Sequence, residues 1–583
     1  MENQKKIFFL FPSAVFFFTF IVYLITMARG LFWGDGIELT TASYVLGIAH
    51  PTGYPLFTIL GKLFQQIPIG SIAFRMNLMT AFFGSLTSVA IYFFLSEFIS
   101  EFPEKIIPSD RYKRIFSAIF AITFSLSRIF WSSSTSTEVY TLNMFFFGVI
   151  FLLICKIIRT KKISLIFWLS FILGLSFDNH LITIICVPSA LISILYIIYK
   201  EDKYFDFKHI KYILICIFLF LTAISFYLYL PIRASANPPM NWGNPNNWER
   251  FVWCISGGQF KQTKLMKATP DQKPSVLETI SNSSLKMKLF SENLMNQIYD
   301  LSSKSKKFKA ICLLGFVGFV LIGVLYSSRI NPINNALLLL IIGLNLLIVL
   351  IYNIPDIETY YLPAFLLLTA YFFIGMLVVY RLFEFIIVKR RLNYFEYGFI
   401  VFPIIALISN FAYCDKSKNN NAEIYVNNIC KTVAQNSLII TNGDNDIYTL
   451  WYMQNVEKKR TDLVVFGQNF ITSPWYKNYF LNKENKLVNV DMEYKPLYSS
   501  DEEKFLEFVK SIIRKNIDTV DIYCTEVIPM LDRPDRYPFV QAAQLLPAEA
   551  INDYKYLPTP YLYKITNNPK FSKQIDKMFE VSF

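Results

Sequence analysis

The sequence lacks the local patterns that mark most soluble enzymes. Its eight cysteines show neither Cys-x-x-Cys nor mixed Cys/His spacing, which argues against a zinc site. It contains no phosphate-binding loop, no dinucleotide-binding fingerprint and no Ser/His/Asp triad of a soluble domain. The chain shows no internal repeat of fixed period, which argues against a solenoid tail. These absences disfavour nucleotide-driven chemistry in a soluble domain.

Hydrophobic residues, in contrast, make up 54% of the 583-residue chain, and aromatic residues make up 17%. A helix that crosses a membrane needs about 20 apolar residues. Eleven segments are candidates, although Arg128 interrupts the third of them. They are residues 7–27, 76–95, 115–131, 139–158, 163–177, 181–199, 212–232, 310–326, 336–352, 361–380 and 395–413. The sequence therefore predicts a polytopic α-helical membrane protein with about eleven spans.

Lysine and arginine cluster in alternate connections between these segments. They precede the first segment, follow the second and the fourth, and separate the sixth from the seventh and the tenth from the eleventh. Because basic loops stay in the cytoplasm, we expect a cytoplasmic N-terminus and an exterior tail after residue 413. These flanks account for most of the net charge of +13, and no nucleic-acid partner is expected. Pairing among the exterior Cys254, Cys414, Cys430 and Cys524 remains open.

Four regions follow from this pattern. Residues 1–232 form an N-terminal membrane block with a polar first exterior loop at 28–75, and residues 233–309 form an exterior segment. Residues 310–413 supply four more spans, and residues 414–583 form an exterior domain. Within that domain we expect strands at 437–441, 462–466 and 520–524 and a helix at 446–455. The strand–helix–strand order predicts an α/β domain.

The first exterior loop carries the most informative polar residues. Asp35 and Glu38 lie three residues apart, and His50 begins a turn stiffened by two prolines and a glycine. Acids beside a membrane are costly to desolvate, so they mark a functional site by default. A carboxylate such as Asp35 can accept the proton of an attacking hydroxyl. The simpler alternatives are a helix cap for the acids and a rigid re-entrant turn for the histidine segment.

Other charged residues fall on the same predicted face. Arg75, His180 and Arg233 can hold and neutralise a leaving phosphate. Possible acceptor or sugar contacts are Asp356, which precedes the tenth span, and Asp444 and Asp446 in the tail. For the last two, helix capping is the competing interpretation. Metal binding is a further alternative for this loop, but the sequence predicts no metal site.

Several short motifs resemble one family of transmembrane protein O-mannosyltransferases, long catalogued as a domain of unknown function. They are Gly34-Asp35-Gly36-Ile37-Glu38, His50-Pro51-Thr52-Gly53-Tyr54-Pro55, Arg75-Met76-Asn77-Leu78, and residues 174–175, 179–180, 231–234 and 241–243. The resemblance covers most of residues 30–260, and residues 443–446 with 450–452 resemble the exterior domain of bacterial members.

The family is related to the GT-C glycosyltransferases, and the resemblance implies their architecture and chemistry. It implies an inverting transfer of a hexose, mannose above all, from a polyprenyl-phosphate co-substrate to a hydroxyl of an exported protein, a glycan or a lipid. Asp35 would be the general base with Glu38 as a second candidate, and donor contacts would come from His50, Tyr54, Arg75, His180 and Arg233. No other cofactor and no divalent metal is required by the sequence. The expected location is a bacterial cytoplasmic membrane, with the site on the exterior face.

Two other classes of protein remain as alternatives. A transporter or flippase of lipid-linked sugars predicts charged residues at mid-membrane and paired repeats, whereas the acids here cluster at the exterior helix ends. A non-catalytic receptor for glycans or peptides predicts that Asp35 and Glu38 are dispensable while the exterior domain is not.

Overall fold

The computed structural model describes most of the chain. The described residues are 2–201, 207–258, 276–352, 354, 357–388, 395–441, 443–467, 470, 475–476, 502–525, 555–559 and 562–566. All eight cysteines lie within these ranges, and all eight are free thiols.

Helices dominate the described residues because long apolar runs satisfy their backbone groups internally. The α-helices up to the long exterior segment are α1 Glu2–Thr26, α2 Asp35–Val45, α3 Pro55–Gln65, α4 Ile72–Phe98, α5 Asp110–Ser125, α6 Arg128–Ser134, α7 Tyr140–Thr160, α8 Ser164–Phe177, α9 Val187–Glu201, α10 Phe207–Ile224, α11 Tyr229–Ser235 and α12 Trp248–Ile255. The later ones are α13 Val276–Met295, α14 Lys306–Ile330, α15 Pro332–Ile351, α16 Leu362–Phe383, α17 Val401–Cys414, α18 Asn421–Thr432, α19 Asp444–Asn455 and α20 Glu502–Asn516.

Short helical turns join several of these elements. They are the 3₁₀ segments Leu181–Cys186, Ser225–Leu228, Ile357–Tyr361 and Phe395–Ile400, and the π-helical segment Glu384–Val388. The first of them directly precedes α9 and lines the candidate site described below.

The eleven predicted spans all fall on helices, which confirms the polytopic fold class. Nine helical segments of the described chain are long and apolar enough to cross a membrane, or ten when Asp110–Ser125 and Arg128–Ser134 count as one bent span. The bend between those two helices is 73° and lies at the charged residue Arg128, which the sequence already identified as an interruption. The remaining predicted span is the shorter apolar helix α8.

The segment between α1 and α4, predicted to be the first exterior loop, is more ordered than the sequence suggested, because it folds into α2 and α3. Gly34 is the N-cap of α2 with φ 117°, a conformation that favours glycine. Gly36 lies so close to the connection between α6 and α7 that a Cβ there would be 2.5 Å from the carbonyl oxygen of Thr137. Pro55 opens α3, where its missing N–H costs nothing. Between the two helices lies the turn that carries His50.

The C-terminal tail, predicted to be exterior, contains a mixed five-stranded sheet. Its strands are β1 Leu438–Thr441, β2 Val464–Gly467, β3 Ile522–Cys524, β4 Lys555–Thr559 and β5 Leu562–Thr566. Their order is β2-β1-β3-β5-β4, with β2, β1 and β3 parallel and the β4–β5 hairpin antiparallel. The three predicted strands and the predicted helix α19 are confirmed. The hairpin was not predicted, because residues 555–566 alternate less clearly and contain two prolines.

The tail and the first exterior segment share one hydrophobic core. Ile37 and Leu39 of α2 belong to the same buried cluster as Leu450 of α19 and Ile439 of β1. The packing of α2 on α19 places the starts of the two helices beside each other. The candidate site lies at that junction.

Candidate functional site

A cavity of about 450 Å³ lies where α2, the His50 turn, the tail and the ends of several membrane helices meet. Its polar and aromatic lining comprises Asp35, His50, Tyr54, Glu138, Tyr140, His180, Trp242, Tyr352, Tyr360, Asp444 and Tyr448. Its apolar lining includes Leu39, Leu181, Ile182, Ile184, Ile348 and Ile354. Aromatic rings beside a few convergent polar groups are typical of a ligand site.

A buried carboxylate–histidine pair stands at one side of this cavity. Glu38 is fully buried, and its Oε1 accepts the backbone N–H of His50 at 2.8 Å. Its Oε2 lies 2.9 Å from His50 Nδ1. The other ring nitrogen, Nε2, lies 3.1 Å from the hydroxyl of Tyr54. Both nitrogens of the ring are therefore held in place, and the orientation of the imidazole is fixed.

Asp35 lies one helical turn before Glu38 and faces the cavity. Its side chain is 46% exposed, and its Oδ2 lies 3.8 Å from His50 Nε2. Burial alone would lower the pKa of His50, but the neighbouring carboxylates of Glu38 and Asp35 outweigh it and raise this pKa to about 9. His50 is therefore an imidazolium at neutral pH, and Asp35 is the solvent-accessible carboxylate beside it.

His180 belongs to an aromatic group on another side of the cavity. Its Nδ1 accepts the backbone N–H of Ile182 at 3.1 Å, so the proton of the neutral ring is on Nε2. Its ring stacks on Tyr54 at 6.0 Å and meets Tyr360 edge-on at 5.2 Å, with Tyr140 at 5.7 Å. Rings arranged in this way offer flat faces and hydroxyl groups to a sugar.

The tail contributes directly to the cavity through the first two turns of α19. Asp444 and Tyr448 line it, and Trp242 of the exterior segment packs on Tyr448 at 6.2 Å between ring centroids. Asp446, which lies between these two residues in the chain, instead accepts a hydrogen bond from the Thr525 hydroxyl at 2.7 Å. The structure thus brings Asp35, His50, Tyr54, His180 and Asp444 together around one space.

Two predicted donor contacts lie outside the cavity lining. The Arg75 guanidinium donates to the carbonyl oxygens of Gln65, Ile69 and Gly70 and secures the turn before α4. The Arg233 guanidinium donates to the carbonyl of Leu46 at 2.7 Å and so caps the end of α2. Asp356 lies outside the described residues.

Sequence reasoning did not single out several residues of this site. Tyr140 and Tyr360 lie at the ends of spans, where tyrosine is common and carries little signal of its own. Asp178, in the turn before His180, lies outside the cavity lining; it is fully buried, and neither carboxyl oxygen has a hydrogen-bond partner within the described residues. Burial raises the pKa of Asp178 to about 8. Its place in an Asp-Asn-His turn between two apolar segments was the available signal.

Across the described part of the chain, no group of three or more His, Cys, Asp or Glu side chains has an arrangement that could hold a metal ion. The described cavity residues offer a carboxylate base, a charged imidazole, and hydroxyl and aromatic contacts.

Comparison with known proteins agrees with this arrangement. Residues 35–204 match the family model for the N-terminal domain of protein O-mannosyl-transferase TMEM260, and residues 422–575 match TMEM260-associated domain 2. Both matches confirm the resemblance that the short motifs indicated.

Two relatives carry the name protein O-mannosyl-transferase TMEM260. The one from Mus musculus is 23% identical over 476 residues, which are 79% of this chain and 63% of the mouse protein. The one from Dictyostelium discoideum is 26% identical over 251 residues, which are 40% of this chain and 28% of that protein. The chain thus spans less than two thirds of the length of each relative.

A solved structure shows the same membrane fold. ArnT from Cupriavidus metallidurans, crystallised with undecaprenyl phosphate, superposes with a TM-score of 0.51 at 9% identity and covers 96% of this chain and 98% of its own. The GT-C-type fold is therefore shown.

Proposed function

The chain carries matches to both TMEM260 protein O-mannosyl-transferase domains on a GT-C-type membrane fold, and from this we propose that it is a membrane glycosyltransferase. It transfers a hexose, with mannose as the first candidate, from a polyprenyl-phosphate donor to a hydroxyl acceptor. Serine or threonine of exported proteins is the first acceptor class to test. The reaction takes place on the exterior face of the membrane, by a single inverting displacement.

One observation carries this proposal: Asp35 is the accessible carboxylate of a cavity whose neighbouring histidine is held charged. In a single displacement the acceptor hydroxyl attacks the anomeric carbon while the bond to the donor phosphate breaks. Asp35 accepts the hydroxyl proton, and no covalent nucleophile is needed. The fully buried Glu38 acts through His50 and is a positioning residue.

The departing phosphate gains negative charge as the glycosidic bond breaks. His50, with its pKa raised to about 9, offers a fixed positive charge and an N–H at the cavity wall. His180 and the tyrosines around it offer hydrogen bonds and ring faces for the sugar. Charge that is already oriented stabilises the leaving group without the cost of reorganisation.

The apolar part of the cavity suits a lipid-linked donor. Leu181 and Ile184 lie at the exterior end of α9, and Ile348 lies near the end of α15. Ile184 is 55% exposed, so the apolar lining continues onto the outer surface of the helix bundle. A polyprenyl chain can remain among lipids there while its phosphate reaches His50. The ArnT structure, which holds undecaprenyl phosphate, has the same type of fold.

Transfer of radiolabelled mannose from synthetic polyprenyl-phosphate-mannose to cell-envelope acceptors tests the proposal. Membranes containing the intact chain are compared with membranes containing Asp35→Asn and Glu249→Gln. Glu249 is an exposed acid in α12 outside the cavity lining, and it serves as the matched control. We expect Asp35→Asn to lower the rate by about 10²–10⁴-fold and the control to retain it.

Each result has a distinct meaning provided that immunoblots show equal insertion. Equal transfer by Asp35→Asn and the intact chain would remove Asp35 from the mechanism. Absence of transfer by the intact chain would reject mannosyl phosphate lipid as the donor, and other polyprenyl-linked sugars would then be tried.

A further inference from the structure

The segment immediately before Asp35 is held by side chains of the exterior tail. Asn445, the second residue of α19, accepts the backbone N–H of Gly34 through Oδ1 at 2.7 Å. Glu423 of α18 accepts the backbone N–H of Leu31 through Oε1. Between these two contacts Trp33 packs edge-on against Tyr425, with ring centroids 5.4 Å apart. The tail therefore contacts three of the four residues that lead into the catalytic carboxylate.

The contact at Gly34 bears most directly on the position of Asp35. Gly34 is the N-cap of α2, but it has no side chain with which to cap the helix. Its φ of 117° gives the chain a sharp change of direction just before Asp35. Because glycine has the widest choice of backbone conformations, an outside contact is needed to hold this one. Asn445 supplies that contact.

The tail side of this contact is itself firmly anchored. Asp446, the next residue after Asn445, accepts a hydrogen bond from the Thr525 hydroxyl, and the backbone N–H of Thr525 donates to Ile440 of β1 at 3.1 Å. The preceding residue, Asp444, faces the cavity. Three consecutive polar residues of α19 thus connect the cavity, the N-cap of α2 and the central sheet.

The Glu423 contact is not a simple surface contact. A Cβ on Gly30 would lie 1.8 Å from Glu423 Oε1, so the glycine is what lets the carboxylate approach the backbone. The other oxygen, Oε2, is buried and has no hydrogen-bond partner within the described residues. Burying a polar atom in this way costs stability. The apolar packing between α2 and α19 does not require a buried carboxylate at this position.

We infer that the exterior tail sets the position of the catalytic base: Asn445 and Glu423 are positioning residues that hold residues 31–34, and with them Asp35, in the geometry needed for transfer. This inference rests on the proposed function, since it assigns a role to the tail in that reaction. It distinguishes the tail from a module that only recruits acceptors. A recruiting module would change KM for the acceptor, whereas a positioning element changes kcat.

Paired substitutions at the two positions separate the contact from the fold. Asn445→Ala removes the acceptor for Gly34, and Asn445→Asp keeps it; Glu423→Ala and Glu423→Gln form the same pair for Leu31. Displacing a reacting group by about 1 Å costs up to about 10²-fold in rate. We therefore expect kcat to fall about 10- to 100-fold in the alanine variants, with KM for donor and acceptor within about threefold of the intact chain. The Asp and Gln variants should recover most of the rate.

Hydrogen–deuterium exchange gives a readout that does not depend on the donor. In the full-length protein, peptides covering residues 30–37 should exchange about tenfold faster in Asn445→Ala than in the intact chain or Asn445→Asp. Unchanged exchange in Asn445→Ala would overturn the inference even if no transfer is seen with any variant. Faster exchange with unchanged kcat would also overturn it, because Asp35 would then not depend on the contact. Failure of the intact chain to transfer mannose, with faster exchange in Asn445→Ala, would reject the proposed donor and retain the contact.

Discussion

The charge state of His50 can be measured directly, because the chain contains only three histidines, His50, His180 and His209. Protein labelled with ¹³C and ¹⁵N only in histidine would give three ring signals in detergent or nanodiscs, and His50→Asn would identify the one that disappears. We expect the His50 signal to titrate with a midpoint of about 9. An unperturbed imidazole titrates at about 6.5.

Glu38→Gln is the perturbation that tests the cause of this shift. Glu38 is the carboxylate nearest to His50, with Oε2 2.9 Å from Nδ1, and Gln keeps its shape and its acceptor for the His50 backbone N–H. A hydrogen bond to a charged group is worth about 1.5–3 kcal/mol, and one pKa unit corresponds to about 1.4 kcal/mol. The midpoint should therefore fall by about 1–2 units. Asp35, at 3.8 Å, should keep it above the unperturbed value.

The same pair predicts the direction of the pH dependence of stability. Because the pKa of His50 is raised on folding, its protonation stabilises the folded protein fully below about pH 6.5, and this stabilisation is lost as the pH rises through about 9. The thermal midpoint of the intact protein should fall over that window more steeply than that of Glu38→Gln. A titration midpoint of His50 below pH 7 in the intact protein, or a titration midpoint that Glu38→Gln leaves unchanged, would refute the assigned cause.

Two further substitutions test residues that the catalytic proposal does not use. Burial raises the pKa of Asp178 to about 8, so the folded protein gains stability from its protonation at low pH and loses this gain as the pH rises through about 8. In thermal unfolding, the stability of Asp178→Asn relative to the intact chain should therefore increase from pH 5 to pH 8. The same difference in thermal midpoint at both pH values would contradict this. Arg75→Met removes three hydrogen bonds to backbone carbonyls and should cost about 1–3 kcal/mol of stability, seen as a lower thermal midpoint, with KM for the donor unchanged. A tenfold rise in that KM would instead support the donor contact expected from the sequence.

The membrane architecture could be predicted because it depends on one strong signal. Runs of about 20 apolar residues have few alternatives to a spanning helix. The weak third span corresponds to two helices, α5 and α6, and Arg128 lies at the 73° bend between them. The helices α2 and α3 were missed for the opposite reason. They are 11 residues each and lie among glycines and prolines. They depend on tertiary packing, of α2 on α19 and of both helices on α4, that no local pattern reveals.

The site was predictable where its residues are close in the chain. Asp35, Glu38 and His50 lie within one short segment, so their proximity follows from the sequence alone. Arg75 and Arg233 were chosen for their charge and their predicted side of the membrane. Charge does not specify the direction of a side chain, and both guanidinium groups bind backbone carbonyls at the ends of helices. The approach of Asp444 to Asp35 depends on the packing of α19 on α2, which sequence periodicity does not encode.

The arrangement of charge in the cavity makes His50 central to the proposed reaction. Among the described residues that line the cavity, none is lysine or arginine, whereas Asp35, Glu138 and Asp444 are acids. A phosphate entering such a space would be repelled unless a positive charge stands close to it. In the described lining, the imidazolium of His50 supplies that charge because Glu38, fully buried behind it, stabilises it. The carboxylate base Asp35 and the cationic contact His50 therefore belong to one local network. Removing Glu38 should weaken the positive charge on His50 and leave Asp35 in place.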